Sequence, residues 1–113
     1  MKQTFGQILK EIRRSKNISQ RDLAAKAGVD FTYISKLEND RMPPPAAETI
    51  IKLAEILDTP QEILLANSGK VGNEIKEVIT GSPEAVKFLN QAKQMQLTGK
   101  EWDQLLIGLK KLR

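Results

Sequence analysis

Gly28 stands between two apolar stripes of helical period, Leu23, Ala24 and Ala27 before it and Ile34 and Leu37 after it. A glycine just past the last periodic residue ends a helix by adopting left-handed backbone angles. Ser19 precedes Asp22 by three residues, the spacing of a capping box with Asp in the place usually held by Glu, so a helix is predicted over Gln20–Lys26. Asp30 is placed to cap a second helix, Phe31–Glu38. Two helices this short, with a glycine in the gap, are the sequence form of a helix-turn-helix. They cannot bury both their stripes alone, so the rest of the chain has to complete a core around them.

The rest of the chain has the same period. Phe5, Ile8, Leu9 and Ile12 recur at i, i+3, i+4 and i+7 ahead of Asn17. Met42-Pro43-Pro44-Pro45 is a loop, because the residue before a proline is driven out of the helical region. Ile50, Leu53, Ala54 and Leu57 restore a stripe, and Thr59-Pro60-Gln61-Glu62 reads as a capping box with proline at the first helical position of a fifth helix ending at Ala66. Asn67-Ser68-Gly69 reads as a break, giving two parts, 1–67 and 68–113. In the second part, Ile75, Val78 and Ile79 belong to a short helix ended by Gly81. Ser82-Pro83-Glu84 opens another with Val86, Phe88 and Leu89. Thr98 with Glu101 caps a last one carrying Trp102, Leu105, Leu106, Leu109 and Leu112. No strand alternation is visible, so the fold class is all-α.

Composition narrows the chemistry. The 113 residues include no cysteine and no histidine, which removes disulfide scaffolds, cysteine nucleophiles, histidine triads and metal sites built on nitrogen or sulfur. No paired carboxylates in a convincing site and no Gly-rich phosphate loop are found, so neither a catalytic role nor a cofactor is expected. No apolar run approaches the roughly 18 residues of a membrane span, and the opening MKQTFGQILKEIRR has no apolar signal region. A cytoplasmic protein without a membrane partner is expected. The net charge of +4 is uneven: residues 1–45 hold nine Lys/Arg against five Asp/Glu, whereas residues 46–69 hold Lys52 against four acids. A basic segment beside an acidic one points to a polyanion met by one face.

The run from Asn17 to Asp40 can be set against a known family. Ser19-Gln20-Arg21-Asp22-Leu23-Ala24, then Ala27-Gly28-Val29, then Tyr33-Ile34-Ser35-Lys36-Leu37-Glu38, with the opening FGQILKEIR and the later PAAETIIKLAEIL, resemble the phage-repressor or Cro-like (XRE) family of helix-turn-helix transcriptional regulators over about residues 4–66. The resemblance implies a five-helix, lambda-repressor-like domain that binds operator DNA, usually as a two-fold dimer. By motif position Phe31, Thr32 and Lys36 fall on base-reading sites. Lys36 suits guanine O6 and N7, and Phe31 or Thr32 suits a thymine methyl. Phe31 reads equally as core or interface filling. Gln20, Arg21, Tyr33, Asn39 and Arg41 fall on phosphate-contacting positions. Arg21 reads first as a solvated surface residue, and Gln20 and Asn39 are the stronger candidates. Lys2, Lys10, Arg14 and Lys16 add long-range attraction without fixed geometry. Arg13 and Glu38 stand where the family pairs an arginine of the first helix with a glutamate closing the third, a structural ion pair. Asp40 and Ala46 depart from the family's common glycine and serine. The turn after the third helix therefore uses Asn39 or Asp40 in a left-handed conformation, and the fourth helix starts without a side-chain cap.

The implied function is a sequence-specific DNA-binding regulator, a repressor on an inverted-repeat operator. The alternative is the antitoxin of a toxin–antitoxin pair, holding its toxin through residues 70–113 and autoregulating its operon. In either case the stripe Trp102, Leu105, Leu106, Leu109 and Leu112 has to pack on the first domain, on a second copy, or on a protein such as a toxin or antirepressor. Operator symmetry favours a homodimer.

Overall fold

The computed structural model describes residues 3–113 and contains eight α-helices among them: α1 Phe5–Ser15, α2 Gln20–Ala27, α3 Phe31–Glu38, α4 Ala47–Ile56, α5 Gln61–Ala66, α6 Asn73–Thr80, α7 Pro83–Met95 and α8 Gly99–Lys110. No strand occurs among the described residues. The chain divides into two units, Met1–Asn73 and Glu74–Arg113. The division falls at the start of α6, six residues beyond the expected break. Ser68 and its neighbours continue the first unit: Ser68 Oγ donates to Leu65 O, accepts from the Lys70 amide, and Gly72 lies against Ile51.

In the first unit the stripes read from the sequence meet in one core. Phe5, Leu9, Leu23, Ala24, Ala27, Ile34, Leu37, Ile50, Leu53, Ala54, Leu57 and Leu64 are buried together, with Ile8, Ile12, Ile18, Val29, Phe31 and Tyr33 packed at its margin. Helix α3 lies against both α1 and α2, and α4 packs on α2 and α5. Helix α3 is thus held from two sides, while the side that touches neither is left to solvent.

Four successive helices end in the same way. Asn17, Gly28, Asp40 and Asp58 all have positive φ, of 57°, 69°, 57° and 50°. The residue after each donates its amide back into the last turn: Ile18 to Arg13 O, Val29 to Ala24 O, Arg41 to Lys36 O and Thr59 to Ala54 O. This is the Schellman closure, which satisfies carbonyls the helix itself leaves unpaired. One of the four uses glycine; the others use Asn or Asp, the side chains that tolerate left-handed angles best.

Two expected caps are corrected. Asp30 occupies the N-cap of α3 by backbone angles, but its side chain makes no capping bond; the Tyr33 amide it would serve donates instead to the Asp30 carbonyl at 3.0 Å. Pro60 is the N-cap of α5, not its first helical residue, and no side chain caps that helix. Thr59, expected to cap it, is committed through its amide to closing α4. Ala46 starts α4 with no side-chain bond. Thr4 and Gln7 form a full capping box at α1, on the same three-residue spacing as Thr98 and Glu101.

The second unit contains α7 and α8, separated by three residues, with Gln96 left-handed at φ 49°. Ser82 caps α7 with proline in its first turn, and Thr98 with Glu101 makes a reciprocal capping box on α8. These helices are well started, yet Ala92 is the one buried residue in them.

Candidate nucleic-acid interface

The surface that α3 leaves to solvent is defined by what its other side buries. Ile34, Leu37 and Glu38 point inward, so Thr32 and Lys36, one helical turn apart, are exposed together on the opposite stripe. Phe31 and Tyr33 are half-buried and lean on the core. Asn39 and Arg41 are exposed just past the helix, and Asn39 Nδ2 donates to Ser35 O at 2.8 Å, which fixes its side chain along the helix end.

Beneath this surface lies a polar knot. Arg13 Nε and a terminal guanidinium nitrogen donate to the two oxygens of Glu38 at 2.6 and 2.9 Å, a bidentate pair that is almost wholly buried. The third nitrogen donates to Ile18 O at 2.8 Å, and Gln20 Nε2 donates to Glu38 Oε1 at 2.9 Å. The carboxylate therefore ties α1, the start of α2 and the end of α3 together. Among the described residues no buried side-chain nitrogen or oxygen lacks a partner, the condition under which a buried charge is tolerable. Gln20, expected at a phosphate, spends one of its amide hydrogens on this knot. In the first turn of α2 the Asp22 amide donates to the Ser19 hydroxyl at 3.0 Å, and the amides of Gln20 and Arg21 are the ones left where helix geometry favours an anion.

Around Gln20 the fold gathers cations. Lys10, Arg13, Arg14, Ser19, Gln20, Arg21 and Phe31 line one open depression of about 440 Å³. It brings together three of the expected DNA contacts, Gln20, Arg21 and Phe31, and gives Lys10 and Arg14 a fixed address. Lys16 is not part of it; its ammonium donates to Asp58 O. Lys2 lies outside the described residues. Arg21 stands over the Phe31 ring, its guanidinium carbon 4.4 Å from the centroid, a contact not read from the sequence.

A second unread feature locks the end of α3. Asp40 accepts from Thr4 Oγ1 at 2.7 Å and from the Gly6 amide at 3.2 Å. The approach is close enough that a Cβ on Gly6 would press on the Leu37 carbonyl and lie 2.5 Å from Asp40 Oδ1. No local signal joins these distant positions; the sequence shows only that Asn39 or Asp40 has to turn left-handed, and the residue that does so is Asp40.

In the second unit, Trp102, Leu105, Leu106, Leu109 and Leu112 are 40–75 % exposed and, with Phe88, line an open apolar cavity of about 490 Å³. Among the described residues no cluster of acidic side chains could hold a metal ion, and no helix is long and apolar enough to cross a membrane.

A family model described as helix-turn-helix matches residues 9–63. The HTH-type transcriptional repressor RghR of Bacillus subtilis (strain 168) is 32 % identical over 95 residues, which cover 84 % of this chain and 70 % of RghR. The chain belongs to the helix-turn-helix (XRE) family of transcriptional regulators. A second relative from the same organism, the HTH-type transcriptional regulator RghRB, is 39 % identical over 80 residues, or 68 % of this chain; the chain spans only 58 % of RghRB's length. Among solved structures, the biofilm regulator SinR in complex with DNA matches with a TM-score of 0.52 at 34 % identity, over 55 % of this chain and 98 % of that one. The complex of SinR with the SinI protein matches with a TM-score of 0.53 at 27 % identity, over 95 % of both chains. The DNA-bound structure therefore corresponds to about half of this helix-turn-helix protein, and the SinI complex to nearly all of it.

Proposed function

We propose that this protein is a sequence-specific transcriptional repressor that binds an inverted-repeat operator as a homodimer in the cytoplasm. The observation that carries this reading is the two-sided character of α3: Ile34, Leu37 and Glu38 anchor it, and Thr32 and Lys36 are presented together on the free side. Lys36 and Thr32 read base edges, with Phe31 at the helix tip. The depression at the start of α2 receives phosphate through Gln20, Lys10 and Arg14, and Tyr33, Asn39 and Arg41 flank it along the backbone. The Arg13–Glu38 pair holds α3 at its angle. The boundary between the DNA-binding part and the C-terminal segment lies within 67–73.

The second unit supplies the dimer contact through Trp102, Leu105, Leu106, Leu109 and Leu112. Linking two modules makes the second half-site contact intramolecular and raises apparent affinity by roughly 10²–10⁴ without any new DNA contact. A second reading is that this stripe holds a different protein, a toxin or an antirepressor. It is favoured by the same exposed stripe and by the likeness to SinR in its complex with SinI.

Selection from a random duplex library is expected to return an inverted repeat with half-site centres about one helical turn, or a small multiple, apart. Binding should fall steeply with salt as phosphate contacts release counterions. Lys36→Ala should relax one base position at a cost of roughly 1–3 kcal/mol, whereas Gln20→Ala should weaken all duplexes evenly. Equal affinity for selected and random duplexes would leave only a basic surface. Truncation after Asn73 is expected to sediment as a monomer and bind the repeat weakly; a truncated form that dimerises as well as the full chain assigns the stripe to another partner.

A further inference from the structure

We infer that Arg21 is a base-reading residue, held in reading position by Phe31, and that the pair selects a guanine next to a thymine in each half-site. The inference rests on the operator-binding reading above and reassigns a residue whose position in the motif marks it as surface or phosphate contact.

The geometry is specific. Arg21 is the second residue of α2 and Phe31 the first of α3. The guanidinium carbon stands 4.4 Å from the ring centroid, well inside the distance at which a cation is attracted to an aromatic face. Phe31 is a fixed platform, because it is half-buried and packed on the core. Arg21 is itself exposed, and the ion pair found among the described residues is that of Arg13 with Glu38, so the Arg21 guanidinium is not drawn into another pair.

A stacked guanidinium uses its flat face and keeps its N–H donors free around its edge. That edge is a planar fork matching guanine O6 and N7, a match that a lysine ammonium cannot reproduce. An unsupported arginine gives up much of its rotamer freedom on docking; one stacked on a packed ring has given up part of it beforehand. The position favours bases over phosphate as well. Phe31 is the N-terminal residue of the recognition helix, the end that reaches base edges in helix-turn-helix docking, and the stack draws Arg21 toward that end. The first turn of α2 still has the Gln20 backbone, Lys10 and Arg14 for the phosphate. The exposed part of the Phe31 ring then meets the methyl of the neighbouring thymine.

The test uses the full-length chain and the duplex site that the wild type selects from a random library. Binding profiles over all single-base variants of that site are compared for wild type, Arg21→Ala, Arg21→Lys and Phe31→Leu, with melting curves confirming that each variant is folded. At one guanine, distinct from any position affected by Lys36→Ala, Arg21→Ala should lower the preference by roughly 10-fold or more and leave the other positions in rank. Arg21→Lys should fail to restore it. Replacing that guanine by 7-deazaguanine, which lacks the N7 acceptor, should weaken wild type and leave Arg21→Ala unaffected. Phe31→Leu should weaken the same guanine preference and that of the adjacent thymine, and uracil in place of that thymine should mimic its second effect. An even loss on all duplexes by Arg21→Ala, with a salt slope reduced by about one, makes Arg21 a phosphate contact and overturns the inference. An unchanged profile makes Arg21 solvated surface and overturns it equally. A Phe31→Leu profile that keeps the guanine preference overturns the role of the platform. If the wild type selects no sequence at all, the operator reading falls and this inference with it, an outcome distinct from the others.

Discussion

Leu37 and Leu109 are both leucines on the apolar stripe of a short helix, yet Leu37 is 1 % exposed and Leu109 is 61 % exposed. The contrast holds for the units that contain them. In Met1–Asn73, the stripes of α1 to α5 converge on one another. In Glu74–Arg113, caps and periodicity are just as regular, but Phe88, Trp102, Leu105, Leu106, Ile107 and Leu109 remain 40–61 % exposed. Local signals decide that a helix forms and where it begins; they do not decide where its apolar face goes. The first unit carries its own hydrophobic partner in sequence, and the second is half of a packing problem whose other half we assign to a second copy.

The comparison can be broken most forcefully at the charges inside the first unit. Glu38→Ala leaves Arg13 buried without its carboxylate and removes the acceptor for Gln20. It should cost about 3–5 kcal/mol in urea unfolding of the 1–73 fragment, as expected for breaking rather than replacing a buried pair. A loss under about 1 kcal/mol, the range of an exposed pair, would show that the knot is not what seats α3. The paired leucines come next. Leu37→Ala should lower the stability of the same fragment by about 2–5 kcal/mol through the cavity it leaves, with no effect on self-association of the full chain where it stays folded. Leu109→Ala should do the reverse, weakening association in sedimentation while thermal unfolding of diluted, monomeric protein barely moves. If Leu109→Ala destabilises the monomer as much as Leu37→Ala does, the second unit has a core of its own and the contrast dissolves. The smallest effect sharpens it from the side of local structure. Ala46 already has extended angles at the start of α4 with nothing capping the helix, so Ala46→Ser should raise the melting temperature of the fragment, worth about 0.5–2 kcal/mol.

Most of the fold was legible because its signals are short-range. The limits of α3 follow from Gly28, Asp30 and the spacing of Ile34 and Leu37, and the box at Thr98 and Glu101 from three residues' separation. What could not be read depends on which backbone group reaches a donor first or on distant chain. Asp30 and Thr59 have the right chemistry for caps, but a carbonyl or the closing turn of the preceding helix claims the same groups. Asn17 and Asp58 end helices as Gly28 does without glycine's conspicuous signature. In the candidate interface, motif position supplies the expected DNA contacts. The Arg21–Phe31 stack and the bond from Gln20 to Glu38 depend on the packing of α2 against α3, and no spacing within either helix encodes them.

The bond from Asp40 to the start of α1 has an electrostatic consequence. A carboxylate beside the end of a recognition helix would ordinarily repel the phosphates it approaches. Here it sits against the Gly6 amide and the Thr4 hydroxyl, at the end of α1 where the helix dipole is positive. The protein thereby fills one of its anion-attracting helix starts with its own acid. On the proposed operator-binding reading, helix α1 then offers its start to no nucleic-acid phosphate, and that role falls to the start of α2 beside Lys10 and Arg14. On that reading, an internal acid of this kind would set where along the duplex the domain settles, by closing the competing seat.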